Sequence, residues 1–277
     1  MREEKIKKQI IPKKIHYCWL SGEPLPKDIQ KCMQTWRNKM PDYELVLWDR
    51  NRFDINSVDF VREACEVKKW AFAADYIRAY ALYTEGGIYL DSDVIVRKPF
   101  DDFLKYDFFT AIEYSPNIVR KHNYKKLLQT DGTPKDDTNM AIPGIALQAA
   151  IMGSQKGHPY LKDILNWYKM HHFTEGNYNK KIIAPNVYAY IAQKYGFVYR
   201  NELQKLSNNM LIFPADVFAP NTSEVTENSY AVHCGKDSWR SLPYKLFFKK
   251  LATSNFLRKI TNRKPLKSID DILIKNV

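Results

Sequence analysis

The stretch FAADYIRAYALYTEGGIYLDSDV, Phe72–Val94, decides the fold. Its first half is alanine-rich and apolar and predicts a long helix over residues 67–84. The Gly86-Gly87 pair is a normal helix stop. The apolar run Ile88–Leu90 then opens a strand with no intervening linker, and IVRKPF continues it to Phe100. Asp91 and Asp93 interrupt that run one residue apart. Burying charge is costly unless something pairs with it. Side chains alternate along a strand, so both carboxylates point the same way and Ser92 points opposite. Ligands of open α/β sheets bind beyond the carboxyl ends of the strands. Two carboxylates there make a hard oxygen site for Mg²⁺ or Mn²⁺, able to anchor a diphosphate. The bland reading is a surface turn whose aspartates cap local amides. A bare Asp-x-Asp is common by chance; its place after GGIYL favours the site.

Moving outward, KKIHYCWL (13–20) reads as a first strand and SGEPLP (21–26) as a turn. Residues 27–40 carry Ile29, Cys32, Met33 and Trp36 on one helical face, and YELVLWD (43–49) is a second strand. Strand and helix alternate, so an α/β fold with a mainly parallel central sheet flanked by helices is expected. Residues 121–137 are polar and predict a loop. An apolar segment and a helix follow over 141–171, a further helix over 185–196, and a short strand within SYAVHCGKDSW (229–239). The catalytic domain is expected to span 1–240, and 241–277 to form a basic helical segment.

On the helix before the glycine pair, Ala71, Ala74, Asp75, Arg78 and Leu82 share one face. Asp75 and Arg78 form either a local i,i+3 ion pair or a binding pair, with Arg78 on a phosphate or sugar oxygen and Asp75 on a hydroxyl. His16 and Trp19 on the first strand are either core residues or nucleotide contacts, with Trp19 placed to stack on a base. Near the C-terminus one short loop holds His233, Lys236, Ser238 and Trp239. His233 is a candidate metal ligand, Lys236 a point charge for a diphosphate and Trp239 a cover.

The 277 residues carry a formal net charge of +12 and 14% aromatic residues. That balance favours anionic partners such as nucleotides, nucleic acid or an acidic membrane. The four cysteines form no CxxC pair, so a zinc knuckle or thioredoxin motif is unsupported and free thiols are expected. The N-terminus lacks the apolar stretch of a signal peptide, and no run approaches the roughly 20 residues of a membrane span. A cytoplasmic location, peripheral on the inner face of the cytoplasmic membrane, is expected.

Taken together, IPKKIHYCWLSG, YELVLWD, FAADYIRAYALYTEGGIYLDSDV and VHCGKDSW resemble glycosyltransferase family 32, the DXD sugar-binding transferases. Helix Ala-Asp-x-x-Arg followed by Gly-Gly-x-Tyr-x-Asp-x-Asp is the specific part. The resemblance implies a GT-A fold, a nucleotide-sugar donor, a divalent metal (Mn²⁺ or Mg²⁺) and retention of anomeric configuration. It implies transfer of a hexose or N-acetylhexosamine, from a UDP-sugar in preference to a GDP-sugar, to a glycan or lipid-linked glycan in capsular or lipopolysaccharide synthesis. By position, it places Trp19 on the base, with His16 nearby, and Asp75 and Arg78 on the donor sugar and its phosphate. Asp91 falls on hydroxyls and metal-bound water, Asp93 on the metal itself, and His233 on the metal with Ser238 as competitor. Asn139 or Gln148 falls near the anomeric carbon.

Three further readings compete. IYLDSDVIV also fits a haloacid-dehalogenase-type phosphatase with Asp91 as nucleophile and Asp93 as acid/base, although that motif normally opens its domain. A nucleic-acid module rests on charge alone, without a recognition motif. Between Ser238 and Ile269 nine Lys or Arg occur with no acid, and interleaved Leu and Phe make a membrane-surface segment or a solvated helix face.

Overall fold

The computed structural model describes residues 9–136, 141–173 and 183–235, together with residues 269 and 272. Eleven strands and seven α-helices occur among them. In chain order they begin β1 (Lys14–Cys18), α1 (Lys27–Lys39), β2 (Glu44–Trp48), α2 (Asp59–Glu66), α3 (Trp70–Glu85), β3 (Gly87–Leu90) and β4 (Val94–Val96). Then come β5 (Phe108–Tyr114), α4 (Pro116–Val119), α5 (Tyr124–Leu127), β6 (Ile145–Leu147), β7 (Ile151–Ser154) and α6 (Pro159–Lys169). The last are α7 (Ala184–Ala192), β8 (Gln204–Leu206), β9 (Met210–Phe213), β10 (Phe218–Ala219) and β11 (Ala231–His233).

The large sheet has the order β2-β1-β3-β7-β5-β9-β8, with β6 added to β5. Strands β1, β2, β3, β5 and β9 run one way, and β7 and β8 run against them. The α/β architecture is as expected, but the sheet is mixed and not mainly parallel, because β7, β8 and β6 each pair antiparallel with their neighbours. One face packs on α2, α3, α6 and α7 through Phe60, Tyr76, Tyr160, Tyr168 and Tyr188. The other packs on α1 and a second sheet, β10-β11-β4, through Trp36, Val94, Phe100, Phe103 and Phe218.

Helix α3 is rich in alanine, a strong helix former, and is buried nearly all round from Phe72 to Leu82. It ends at Gly86, whose N–H donates to the Leu82 carbonyl at 2.9 Å. Gly86 and Gly87 have φ of +69° and +115°. A Cβ on Gly87 would lie 2.9 Å from the Lys14 carbonyl oxygen and 3.0 Å from His16 Nε2. The pair therefore both stops the helix and lets β3 lie directly against β1.

Two differences from the sequence reading matter for the site. The expected helix over 67–84 is preceded by a separate helix, α2, and the two meet at Lys68 with φ +57°. More important, the apolar run through Asp91 is not one strand. Strand β3 ends at Leu90 inside the large sheet, and β4 pairs antiparallel with β11 in the small one. Asp91-Ser92-Asp93 is the turn between them, closed by the Val94 N–H on the Asp91 carbonyl at 3.0 Å. The change of sheet, not strand alternation, aims the two carboxylates.

Residues 121–136, expected as a loop, hold α5 and a Leu128–Pro134 bridge. Of the segment after residue 240, Ile269 and Ile272 are described. Ile272 is buried in a small cluster with Cys32, Ile95, Ala219 and Val232, and Ile269 packs against it.

Candidate active site

The Asp91–Asp93 turn lies at the carboxyl end of β3, the central position its burial and pairing to β1 and β7 dictate. The Asp91 N–H is tied to the Ala150 carbonyl at 2.9 Å. From the small sheet, β11 brings His233 opposite Val94. His233 Nε2 lies 3.3 Å from Asp93 Oδ1 and 3.9 Å from Asp91 Oδ2. Ligand atoms of these three residues all fall within 4.8 Å of one another.

This donor set fits a divalent cation. Ligand atoms around an octahedral ion stand about 3 Å apart at right angles and about 4.2 Å apart when opposite, if each is about 2.1 Å from it, and the 3.3 and 3.9 Å separations here fall in that range. Carboxylates suit Mg²⁺ or Mn²⁺, and an imidazole shifts preference towards the transition ion. Burial opposes charge on His233, yet Asp93, Asp91 and Glu113 push its pKa up to about 9. An imidazole ligates only when neutral, so a cation here displaces a proton.

Arg78 and Asp75 reach this cluster from α3. Arg78 is 5% exposed and its guanidinium is bound to protein acceptors. Nε donates to the Ala74 carbonyl at 3.3 Å and Nη1 to the Ala149 carbonyl at 2.7 Å. Nη2 bridges Asp75 Oδ1 at 2.9 Å and Asp91 Oδ1 at 3.3 Å. Burial lifts the Asp75 carboxyl to about 7, against the pull of Arg78 and the Ala184 amide at the start of α7. The Tyr188 hydroxyl donates to the Asp75 carbonyl at 2.8 Å, fixing α7 to α3 at the same residue.

Trp19 sits where expected, at the end of β1. With Leu20, Gly22, Leu47, Asp49, Arg50 and Asn51 it lines a cleft of about 460 Å³ over the carboxyl ends of β1 and β2. Its indole N–H is taken by the Glu23 carbonyl at 2.6 Å, leaving the ring as its contact surface.

Three of the expected site residues lie in the interior. His16 is fully buried and touches no open site: Trp48 Nε1 donates to its Nδ1 at 3.0 Å, and its Nε2 meets the Gly86 carbonyl at 2.7 Å. Arg78, expected on the donor sugar and its phosphate, bridges the Asp75 and Asp91 carboxylates from the interior. Gln148 is 1% exposed, its amide donates to the Phe218 carbonyl at 3.1 Å, and its Oε1 has no hydrogen-bond partner among the described residues. Gln148, expected near the anomeric carbon, is enclosed between the two sheets. Lys236, Ser238, Trp239 and Asn139 lie outside the described residues, as does the basic run expected at a membrane surface.

Sequence reasoning missed Tyr89, whose hydroxyl donates to Asp91 Oδ1 at 2.9 Å. Its place two residues before Asp91, at the end of the apolar run, was the available signal.

Residues 26–110 match the family described as "Glycosyltransferase sugar-binding region containing DXD motif". Asp91-Ser92-Asp93 falls inside the matched residues and has the spacing that the description names. The chain is 28% identical over 167 residues to the initiation-specific alpha-1,6-mannosyltransferase of Candida albicans, covering 56% of this chain and 41% of that one. It is 28% identical over 159 residues to inositol phosphoceramide mannosyltransferase 3 of Schizosaccharomyces pombe, covering 56% and 36%. The chain thus spans less than half the length of these curated relatives. Among solved structures, mouse xyloside xylosyltransferase 1 aligns over 81% of this chain and 98% of its own, with 8% identity and a TM-score of 0.47.

Proposed function

We propose that this protein is a metal-dependent retaining glycosyltransferase of GT-A type. It moves a hexose from a nucleotide-diphosphate sugar to a glycan or lipid-linked glycan acceptor. The observation that carries this reading is the convergence of Asp91, Asp93 and His233 beyond the end of β3, beside the Trp19 cleft at the ends of β1 and β2. One ligand, base in the cleft and diphosphate at the carboxylates, spans both.

Asp93, Asp91 and His233 would hold the cation, which when bound supplies positive charge against the leaving diphosphate. Trp19 offers a flat apolar face for the base. Arg78 and Asp75 keep the interior side of the site charged yet paired, which leaves the carboxylate oxygens aimed outward. In the reaction the bond from the anomeric carbon to the phosphate oxygen breaks and one to the acceptor hydroxyl forms on the same face. The departing phosphate takes the hydroxyl proton. The sugar has oxocarbenium character between these events. The phosphatase alternative, with Asp91 as nucleophile and Asp93 as acid/base, gives no role to His233, which joins both carboxylates. Both relatives described above are named mannosyltransferases, so GDP-mannose belongs beside the UDP-hexoses in any donor panel.

Mn²⁺-dependent hydrolysis of a panel of UDP- and GDP-sugars tests the reading. One donor should turn over, and Asp93→Asn should lower that rate on the order of 10²-fold or more. Near-normal turnover by Asp93→Asn would sink it.

A further inference from the structure

Resting on the metal-dependent reading, we propose that Tyr89 and Arg78 are positioning residues that clamp Oδ1 of Asp91 and so present Oδ2 to the cation. A carboxylate rotates about its last bond and can offer either oxygen, or both, to an ion. Here the two oxygens are distinguished. Oδ1 receives the Tyr89 hydroxyl at 2.9 Å and Arg78 Nη2 at 3.3 Å. Oδ2 faces His233 Nε2 at 3.9 Å.

Both clamping groups are themselves immobilised. Tyr89 is 1% exposed, in the central strand, with its ring 5.0 Å from the Arg78 guanidinium carbon. Cys18, on the neighbouring strand β1, lies beside it. Arg78 is held from three further directions, by Asp75 and by the Ala74 and Ala149 carbonyls. Ala149 adjoins Ala150, whose carbonyl takes the Asp91 N–H. The backbone and one side-chain oxygen of Asp91 are therefore fixed from the same side. A hydrogen bond to a charged acceptor is among the stronger kinds. The arrangement explains why an arginine and a tyrosine are both buried beside a carboxylate without facing the cleft. It assigns Arg78 to metal-site geometry rather than to the donor phosphate.

Mn²⁺ alone is the probe. Its uptake by the full chain is followed through the electron paramagnetic resonance signal of the free ion, for wild type, Tyr89→Phe, Asp91→Asn and the double variant. Tyr89→Phe keeps the ring beside Arg78 and removes only the hydroxyl. It should weaken Mn²⁺ binding about tenfold, and should have no further effect in the Asp91→Asn background. Arg78→Lys, which cannot bridge both carboxylates, should weaken binding by a similar factor if Tyr89→Phe does not give folded chain. Wild-type Mn²⁺ affinity in Tyr89→Phe, or an equal loss in both backgrounds, overturns the inference while leaving the metal reading intact. A wild-type chain that takes up no Mn²⁺ overturns the metal reading, and the inference with it.

Discussion

His16 shows how one side chain can look catalytic and be architectural. The Trp48 indole can only donate, so His16 Nδ1 must accept, and Nε2 must then carry the proton to the Gly86 carbonyl. That tautomer fills both ring nitrogens and pins β1 to β2 and to the end of α3. Burial holds the imidazole pKa below its ordinary value, as it does for His158. The unfolded chain then takes up the proton first as pH falls. The stability owed to neutral His16 is present above about pH 6.5 and is lost below it, as pH falls through the folded pKa. His16→Gln offers one donor and one acceptor without titrating. Its stability at pH 7.5 should be about 1 kcal/mol lower. The gap should shrink between pH 7 and 5 in urea titrations; a constant gap would show that His16 is already protonated or solvated in the folded chain. The sequence had no means of separating this histidine from a ligand, because Trp48 lies 32 residues away and Gly86 lies 70 away.

At the scale of elements, the hinge of the site is the passage from α3 through Gly86-Gly87 to β3 and its turn. Gly87→Ala would set a Cβ 2.9 Å from a backbone oxygen at a left-handed φ of +115°. Strain of this kind costs about 1–3 kcal/mol, and β3 must move away from β1 to relieve it. Thermal unfolding should therefore show a lower midpoint, and Mn²⁺ affinity should fall because Asp91 rides on β3. A midpoint equal to wild type would show that the β1–β3 contact yields freely. The helix, the glycine stop and the strand were legible in the sequence because each rests on neighbours in the chain: alanines, then glycines, then Ile88-Tyr89-Leu90. The break after Leu90 was not. Val94-Ile95-Val96 is as apolar as what precedes it, and only pairing with Ala231–His233, far along the chain, pulls it into another sheet. Asp91, Asp93 and His233 could thus be chosen by residue type, while the turn that joins them could not be read locally. Helix α2 escaped for a related reason: eight residues give little more than two turns of periodicity.

For the whole molecule, the site is a seam. The large sheet delivers Asp91, and the small sheet delivers His233 and the start of β4 beside Asp93. Its geometry therefore depends on how firmly the small sheet is held. Helix α1 holds one side: the Trp36 indole donates to the Val94 carbonyl at 2.7 Å, and the Val96 N–H donates to the Thr35 hydroxyl at 2.9 Å. Ile272 holds another, packed 3% exposed against Cys32 of α1, Ile95 of β4 and Val232 of β11. The apolar contact touches strands on both sides of the metal ligands, so the segment after residue 240 contributes to the site's frame at this point whatever else its basic residues bind. Ile272→Ala should cost about 2 kcal/mol, the low end for a buried isoleucine in a small cluster. Deleting residues 241–277 should lower the thermal midpoint without any membrane present and weaken Mn²⁺ binding through the loosened β11. An unchanged midpoint and Mn²⁺ affinity after that deletion would mean that the small sheet is held by α1 and the large sheet alone.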